Sequence, residues 1–503
     1  MAPIIFLCSR KSTQGNAGVT EQRGRRLVIL HIDGLGADSL EQALREGDMP
    51  FVKSLMETEG YEMHRYRCGI PSTTPFVQAG ILYGDNSEIP SFRWWDREQQ
   101  LLVQFGAGST FKKVAGKYFK GCHPLTEGGA SIAACYPAGA AETFGINYQD
   151  RRYSGQEHGS RSAWRVVLPY LANPLNLMDL VWHGADSIAQ TALAYGRNRL
   201  SGRIAATTYA VSDVLEEVFV HHLTRHAVTR AMREGYSPIY AGFYGFDETG
   251  HAFGPDDSYA LRILRHVDNT IKKIARARKH GYELVVLSDH GQIDTVPFNH
   301  VSPQAFGELV AGWLPGYRVQ EMKGKAFGPP RDQAVGQVNI PSSGGLSHIY
   351  FADRPRRFSY SELTSQFPGL ATSVASLDTV ALVMARDGDA DVFLTAGQEL
   401  RGEAIKPVLA QYDDPDILFS QLSRLNSFDM SGDLIAFGAF KDGRQVNFEN
   451  QAGGHGSIGG EQGHPFVLAK RDWQVDTTSV IGAHQIHPIL SRLRDSLRGS
   501  GSD

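Results

Sequence analysis

Cysteine is scarce, with only Cys8, Cys68, Cys122 and Cys135 among 503 residues and no Cys-x-x-Cys spacing. That excludes a disulfide framework and a thiolate zinc site, and it fits a reducing compartment. Long apolar runs are missing as well. The most hydrophobic stretch, Val166–Trp182, is broken by Pro169, Pro174 and Asp179, so it cannot supply the ~20 apolar residues of a membrane span. Ile4–Cys8 is too short for the apolar core of a secretory signal, and Arg10 and Lys11 follow it. The sequence therefore predicts a soluble, cytoplasmic protein without a membrane span. An excess of one charge is absent too. Lys+Arg 50 against Asp+Glu 54 gives a net charge of −4, which excludes a polycation that coats nucleic acid, and no nucleic-acid-binding signature is found. No internal repeat or low-complexity segment is evident, and 42% hydrophobic with 21% charged residues excludes disorder.

Glycine, by contrast, is abundant: 54 residues, about one in nine, against a usual ~7%. Many tight loops follow from that, as in a loop-rich enzyme. Polar, glycine-containing residues end a flexible N-terminal segment at 1–24, and ordered structure is expected from Arg25. Leu27-Val-Ile-Leu-His-Ile32 is a nearly continuous apolar run of the kind buried on both faces of a sheet, and it stops at Asp33-Gly-Leu-Gly. A helix follows, with Asp38 or Ser39 as its N-cap. The same grammar returns at Ile239–Phe246, which stops at Asp247, and at Glu283–Leu287, which stops at Ser288-Asp289-His290; Pro465–Ala469 is a further strand. Helical spacing is found over Thr207–Glu234 and Ser258–Lys279, the latter with Gly281 just past its end.

This alternation predicts an α/β fold with a mostly parallel sheet and helices on both faces. A single catalytic domain over 25–496 is expected. A largely helical insertion at about 112–235 and a cap-like insertion at about 301–440 interrupt it, and a flexible tail at 497–503 follows.

Strand ends that carry aspartates are the first functional signal, because ligands of open α/β sheets bind outside the carboxyl ends of the strands. Asp33 alone reads equally well as a turn residue. Asp247-Glu-Thr-Gly-His251 places a carboxylate and an imidazole four residues apart around a glycine turn, where both can reach one metal ion. Ser288-Asp289-His290-Gly291 puts two polar groups beside a core, which is costly without a partner. Gly453-Gly-His455-Gly, with His464 further on, sets histidines in a glycine-rich loop. Three carboxylates (Asp33, Asp247, Asp289) and three imidazoles (His251, His290, His455) suit two zinc-like ions with N/O ligands. Gly69-Ile-Pro-Ser-Thr73-Thr74-Pro75, before a helix-like run, is either an N-cap or a nucleophile loop. In the second case metal coordination activates the hydroxyl, and the helix start holds a phosphoryl group.

A strand-ending Asp-Gly, a Pro-Ser-x-Thr loop, Asp-x-x-x-His, Ser-Asp-His-Gly and a final Gly-His-Gly, in this order, resemble the alkaline phosphatase superfamily. The threonine makes the type I phosphodiesterase/nucleotide pyrophosphatase branch the nearest likeness. The resemblance implies one ion on Asp247, His251 and His455 and another on Asp33, Asp289, His290 and the Thr74 oxygen, with Thr74 as nucleophile. The two divalent ions are most simply Zn2+, with Mn2+ the alternative. Three carboxylates and a threonine alkoxide then balance two divalent ions. In this family an asparagine after the nucleophile helix holds a non-bridging phosphate oxygen, and Asn86 and Arg93 are the two candidates here. The sulfatase signature Cys/Ser-x-Pro-x-Arg is absent. The Trp94–Trp95 pair is either a stacking platform for a base or sugar or packing. The expected activity is hydrolysis of a small phosphodiester or pyrophosphate through a phosphothreonine. A phosphomonoesterase, a phosphomutase and an inactive phospho-ligand binder are the alternatives.

Overall fold

The computed structural model describes residues 25–106, 109–146, 159–200, 211–321 and 325–499. The N-terminal segment expected at 1–24 lies outside them. The main sheet has seven strands: β1 (Arg26–Ile32), β2 (Tyr61–Arg65), β3 (Ala130–Ile132), β4 (Glu142–Phe144), β5 (Ile239–Phe243), β6 (Tyr282–Ser288) and β7 (Phe466–Lys470). Their order is β2-β7-β6-β1-β5-β3-β4. From β6 to β4 every pairing is parallel, and β7 joins β6 and β2 in antiparallel register. The chain is thus α/β with a mostly parallel sheet, as the alternation of apolar runs and helical spacings predicts.

The unbroken apolar run of β1 is explained by two-sided burial. Leu27 and Ile29 pack on one face with Phe76 and Val77 of α2 (Thr74–Tyr83) and Leu490 of α8 (Ile486–Gly499). Val28, Leu30 and Ile32 pack on the other with Ile263, Val267 and Ile271 of α7 (Ser258–Ala275) and Val228 of α5 (Val211–Glu234). Truncating such a side chain to alanine removes about 2–5 kcal/mol of stability. Helix α1 (Ala37–Glu46) begins one residue before Asp38, with Gly36 as N-cap, rather than at Asp38 or Ser39. Its first turn is satisfied by a distant acid instead: Glu461 accepts from both the Ser39 backbone N–H and the Ser39 hydroxyl.

Two expectations about organisation change. The glycine-rich start of 112–235 supplies β3 and β4, which extend the main sheet. Only the later part is a helical layer, made of α3 (Gly159–Leu171), α4 (Pro174–Leu200) and α5. At the other end, Leu497 is buried in the last turn of α8, so the chain stays helical to Gly499 instead of fraying from 497; residues 500–503 lie outside the described residues. The segment expected as a cap builds a second, mixed nine-stranded sheet from strands between Tyr317 and Gly438, with its own core around Val338, Ile349 and Val383.

Candidate active site

Asp33, Asp289 and His290 follow strands of the main sheet directly, Asp247 and His251 lie on the helix after a third strand, and His455 comes from a loop outside that sheet. Asp33 follows β1 directly, and Gly34 takes φ +73° there; a Cβ on Gly34 would lie 2.5 Å from Asp247 Oδ1, so only glycine lets these two strand ends approach. After β5 the chain enters α6 (Gly245–Phe253), so Asp247 and His251 stand one helical turn apart, not around a glycine turn. The i,i+4 spacing brings His251 Nε2 to 3.1 Å from Asp247 Oδ2. Asp289 and His290 follow β6, and His455 follows the short strand Gly453–Gly454.

These groups converge. His290 Nε2 lies 3.4 Å from Asp33 Oδ1 and 3.4 Å from Asp289 Oδ2. His455 Nε2 lies 3.3 Å from His251 Nε2 and 3.7 Å from Asp247 Oδ1. All three imidazoles are oriented alike: Nδ1–H donates to a carbonyl, Gly453 for His251, Gly291 for His290 and Ser72 for His455. The Nε2 atom of each is then turned into the cluster, the orientation a metal-ligating histidine needs. Asp247 Oδ1 accepts from the Gln292 side-chain amide, which also donates to the Asp247 carbonyl.

Electrostatics point the same way. Burial, then the neighbouring Asp289 and Asp247, drive the Asp33 carboxyl well above the usual carboxylate range. Burial also works against ionisation of Asp247, yet His251 and His455 beside it hold its carboxyl below the ordinary range. For Asp289, burial is outweighed by His290 and His31. Burial would lower His251, but the Asp247 carboxylate raises it to about 9, whereas burial, with His290 adjacent, pushes His455 down to about 3. Three buried carboxylates that, among the described residues, pair with no lysine or arginine form a donor set suited to divalent cations. Among the described residues, two triads bring potential ligand atoms within 4.8 Å of one another, Asp247–His290–His455 and His31–Asp33–Asp289.

Thr74 is the first residue of α2, and its hydroxyl donates toward Asp33 Oδ1 at 3.4 Å with His290 Nε2 at 3.2 Å. Thr73 occupies the N-cap position without a side-chain capping bond. Both threonines border a cavity of about 680 Å3, which Asp33, Asp247, His251 and His455 also line. Arg93 lines it too, bonded to Glu449 at 3.1 Å and to the Ser342 carbonyl at 3.4 Å. Asn86 is not brought there: fully buried, it donates to the Phe76 carbonyl and accepts from Arg424 at 2.7 Å. Trp94 is packing, buried among Phe105, Phe111 and Tyr118. His464 turns away to Asp413 at 2.9 Å.

Sequence reading missed His31. It sits inside the apolar run of β1, fully buried, with Nε2 3.0 Å from Asp289 Oδ1. Its tautomer is fixed from behind: the Cys135 N–H donates to Gln78 Oε1, which leaves the Gln78 amide nitrogen facing His31 Nδ1 at 3.4 Å. His31 Nε2 thus lies beside Asp289 Oδ1 without an aligned hydrogen bond, and its action on that carboxylate is electrostatic. The one available signal was a histidine interrupting a strand otherwise made of Leu, Val and Ile. Also unanticipated was the α5 face of the cavity with Glu217, His221 and Thr224. Burial, with Glu248 nearby, raises the Glu217 carboxyl to about 8.

A carboxylate–imidazole cluster at the carboxyl ends of a parallel sheet, with a hydroxyl at a helix start facing it, defines a phosphoester hydrolase architecture of the alkaline phosphatase superfamily. Within it, the chain belongs to the type I phosphodiesterase/nucleotide pyrophosphatase family, whose model matches residues 27–322, more than half of the chain. No match is found among curated proteins. Human ectonucleotide pyrophosphatase/phosphodiesterase 5 is similar in structure, with a TM-score of 0.51 at 10% identity over 94% of this chain and 95% of that one. An inactive point variant of the murine protein, in complex with AMP, gives 0.49 at 12% identity, covering 94% and 95%. Phosphonoacetate hydrolase from Sinorhizobium meliloti 1021 gives 0.48 at 13% identity, covering 95% and 96%. At these identities the likeness is one of fold. Among the described residues, no helix is long and apolar enough to cross a membrane.

Proposed function

We propose that the protein hydrolyses phosphodiester or pyrophosphate bonds of a small molecule through a phosphothreonine on Thr74. The observation that supports this most directly is the Thr74 hydroxyl at the start of α2, facing Asp33 and His290 and bordering the cavity. Asp33, Asp289 and His290, with the Thr74 oxygen, and Asp247, His251 and His455 are the residues that would hold two divalent ions, Zn2+ or Mn2+. Such ions, when bound, lower the pKa of the nucleophile and stabilise charge on the entering and leaving oxygens. His290 Nε2 and Asp33 hold the Thr74 oxygen in place for attack. The positive end of the α2 dipole meets the negative charge of the phosphoryl group once it is on Thr74. Attack forms the Thr74 O–P bond and expels the leaving alcohol or phosphate; water then cleaves the same O–P bond and regenerates the hydroxyl.

Diesters and pyrophosphates are favoured over monoesters because, among the described lining residues, Arg93 is the only lysine or arginine, and Glu449 already engages it. A monoester carries an additional charge that calls for an additional cation. The experiment compares kcat/KM for nitrophenyl phosphate and bis-nitrophenyl phosphate at one pH with the same metal. A diester preference is expected. A monoester preference of about a hundredfold, equivalent to roughly 2.7 kcal/mol, would make the protein a phosphatase instead.

A further inference from the structure

We propose that the α3–α4 hairpin is a membrane-surface element that seats the protein on an anionic phospholipid bilayer. The polarity of the hairpin is reversed. Helix α4 buries His183, Ser187, Thr191 and Asn198 toward the protein. Its outward face carries Leu175 at 72% exposure, Met178 at 69%, Val181 at 69% and Trp182 at 76%. Helix α3 adds Trp164 and Leu168, 62% and 58% exposed. Positions 164, 168 and 171 on α3 and 175, 178 and 182 on α4 recur at three- and four-residue spacing, so each helix carries an exposed apolar stripe. Stripes of this size, left in water, are costly, and their presence marks a surface that is covered in use.

Charge decides what covers it. Over 159–200 the hairpin carries four arginines, Arg161, Arg165, Arg197 and Arg199, against two acids. Both acids are held by cations of the protein body: Asp179 lies 2.8 Å from Arg225 and 2.8 Å from Lys273, and Asp186 lies 2.7 Å from Arg262 and 3.2 Å from His266. Arg197 is held by Asp257 at 2.8 Å, whereas Arg165, beside Trp164, and Arg199, in the last turn of α4, are exposed. Among its described residues, the exposed unpaired charge of the hairpin is therefore cationic. A second copy brought face to face would meet the same positive charge, whereas anionic headgroups complement it. Two exposed tryptophans suit the headgroup level, where an apolar ring and an N–H donor are both accommodated. Because no described helix is long and apolar enough to cross a bilayer, the hairpin lies in the interface plane with its stripes in the acyl boundary.

The test is co-sedimentation of the full chain with phosphatidylcholine vesicles and with vesicles containing roughly 30% phosphatidylglycerol. Partitioning about tenfold stronger to the anionic vesicles is expected, with a blue shift of tryptophan emission. Met178→Glu should abolish it while circular dichroism and soluble phosphodiesterase activity stay unchanged, and Arg165→Gln should weaken it. Absence of vesicle binding overturns the proposal. Binding that survives Met178→Glu overturns it as well. A dimer in sedimentation that Met178→Glu splits, without vesicle binding, assigns the face to a second copy.

Discussion

His290 and His455 stack ring on ring, their centroids 3.8 Å apart and their planes 22° from parallel. One follows a strand of the main sheet and the other a glycine-rich loop 165 residues later, yet each is pinned by a backbone carbonyl at Nδ1. The His455 carbonyl partner belongs to Ser72, two residues before Thr74, so the position of this imidazole and that of the nucleophile loop are coupled.

That coupling yields the first prediction. His455→Ala should lower divalent-metal content and also loosen the Thr74 loop, so that activity is not fully restored by excess metal. His464→Ala, whose side chain pairs with Asp413 outside the cluster, should retain both. Metal analysis of the purified variants, followed by activity titrations with Zn2+ and Mn2+, makes the comparison.

Thr74→Ala should lose roughly a thousandfold or more in kcat while keeping its fold and metal content, because the mechanism we propose takes its attacking oxygen from this residue. Thr73→Ala should stay within about tenfold of wild type, since Thr73 makes no capping bond that its loss would break. Steady-state kinetics on bis-nitrophenyl phosphate separate the two; equal losses would move the nucleophile assignment.

Chelation should lower the melting temperature reversibly. Three buried carboxylates in mutual contact are stabilised by bound cations, and a ligand at about a hundred times its Kd adds about 2.7 kcal/mol to the folded state. Differential scanning calorimetry with and without chelator, then with metal restored, reads this directly.

His31→Phe keeps a ring in the core but removes the imidazole that stands 3.0 Å from Asp289. Metal affinity should fall about 10–100-fold with little change in secondary structure. Calorimetric titration of the metal-stripped variant is the measurement; wild-type affinity would reduce His31 to packing.

In the helical layer, burial depresses His183 to about 3 and His222 to about 4 from an ordinary 6.5. His221 and His266 face the same space and are lowered too, with Asp179, Asp186, Arg225 and Lys273 around them. The unfolded chain takes up protons near pH 6.5 that the folded chain refuses, so stability is intact above that pH and is lost as pH falls toward 4. The slope for two imidazoles is at most about 2.7 kcal/mol per pH unit. Urea unfolding at a series of pH values should show this slope, and replacing His183 and His222 together by glutamine should flatten it.

The parts legible in the sequence are those whose signal is local. The run before Asp33 and the runs before Asp247 and Asp289 announce buried parallel strands, because burial on both faces leaves no room for alternation. Parts decided by distant contacts were not legible. His31 reads as core until Asp289 is seen opposite it. Asn86 reads as a phosphate ligand until Arg424 and the Phe76 carbonyl are seen to occupy it. Asp247 and His251 have the same spacing on a helix as around a turn, and only the packing of α6 against Gly34 and Gln292 decides between them. The strands β3 and β4, three residues each, are too short for any periodic pattern to register.

The place of β7 in the main sheet bears on biosynthesis. β2 is made early but has β7 as its only neighbour in the sheet, and β7 consists of residues 466–470. His455 likewise arrives late, 422 residues after Asp33. A chain still on the ribosome therefore carries an unpaired N-terminal strand and an incomplete ligand set through most of translation. A product that stops before His455 lacks both the strand that pairs with β2 and one imidazole of the cluster.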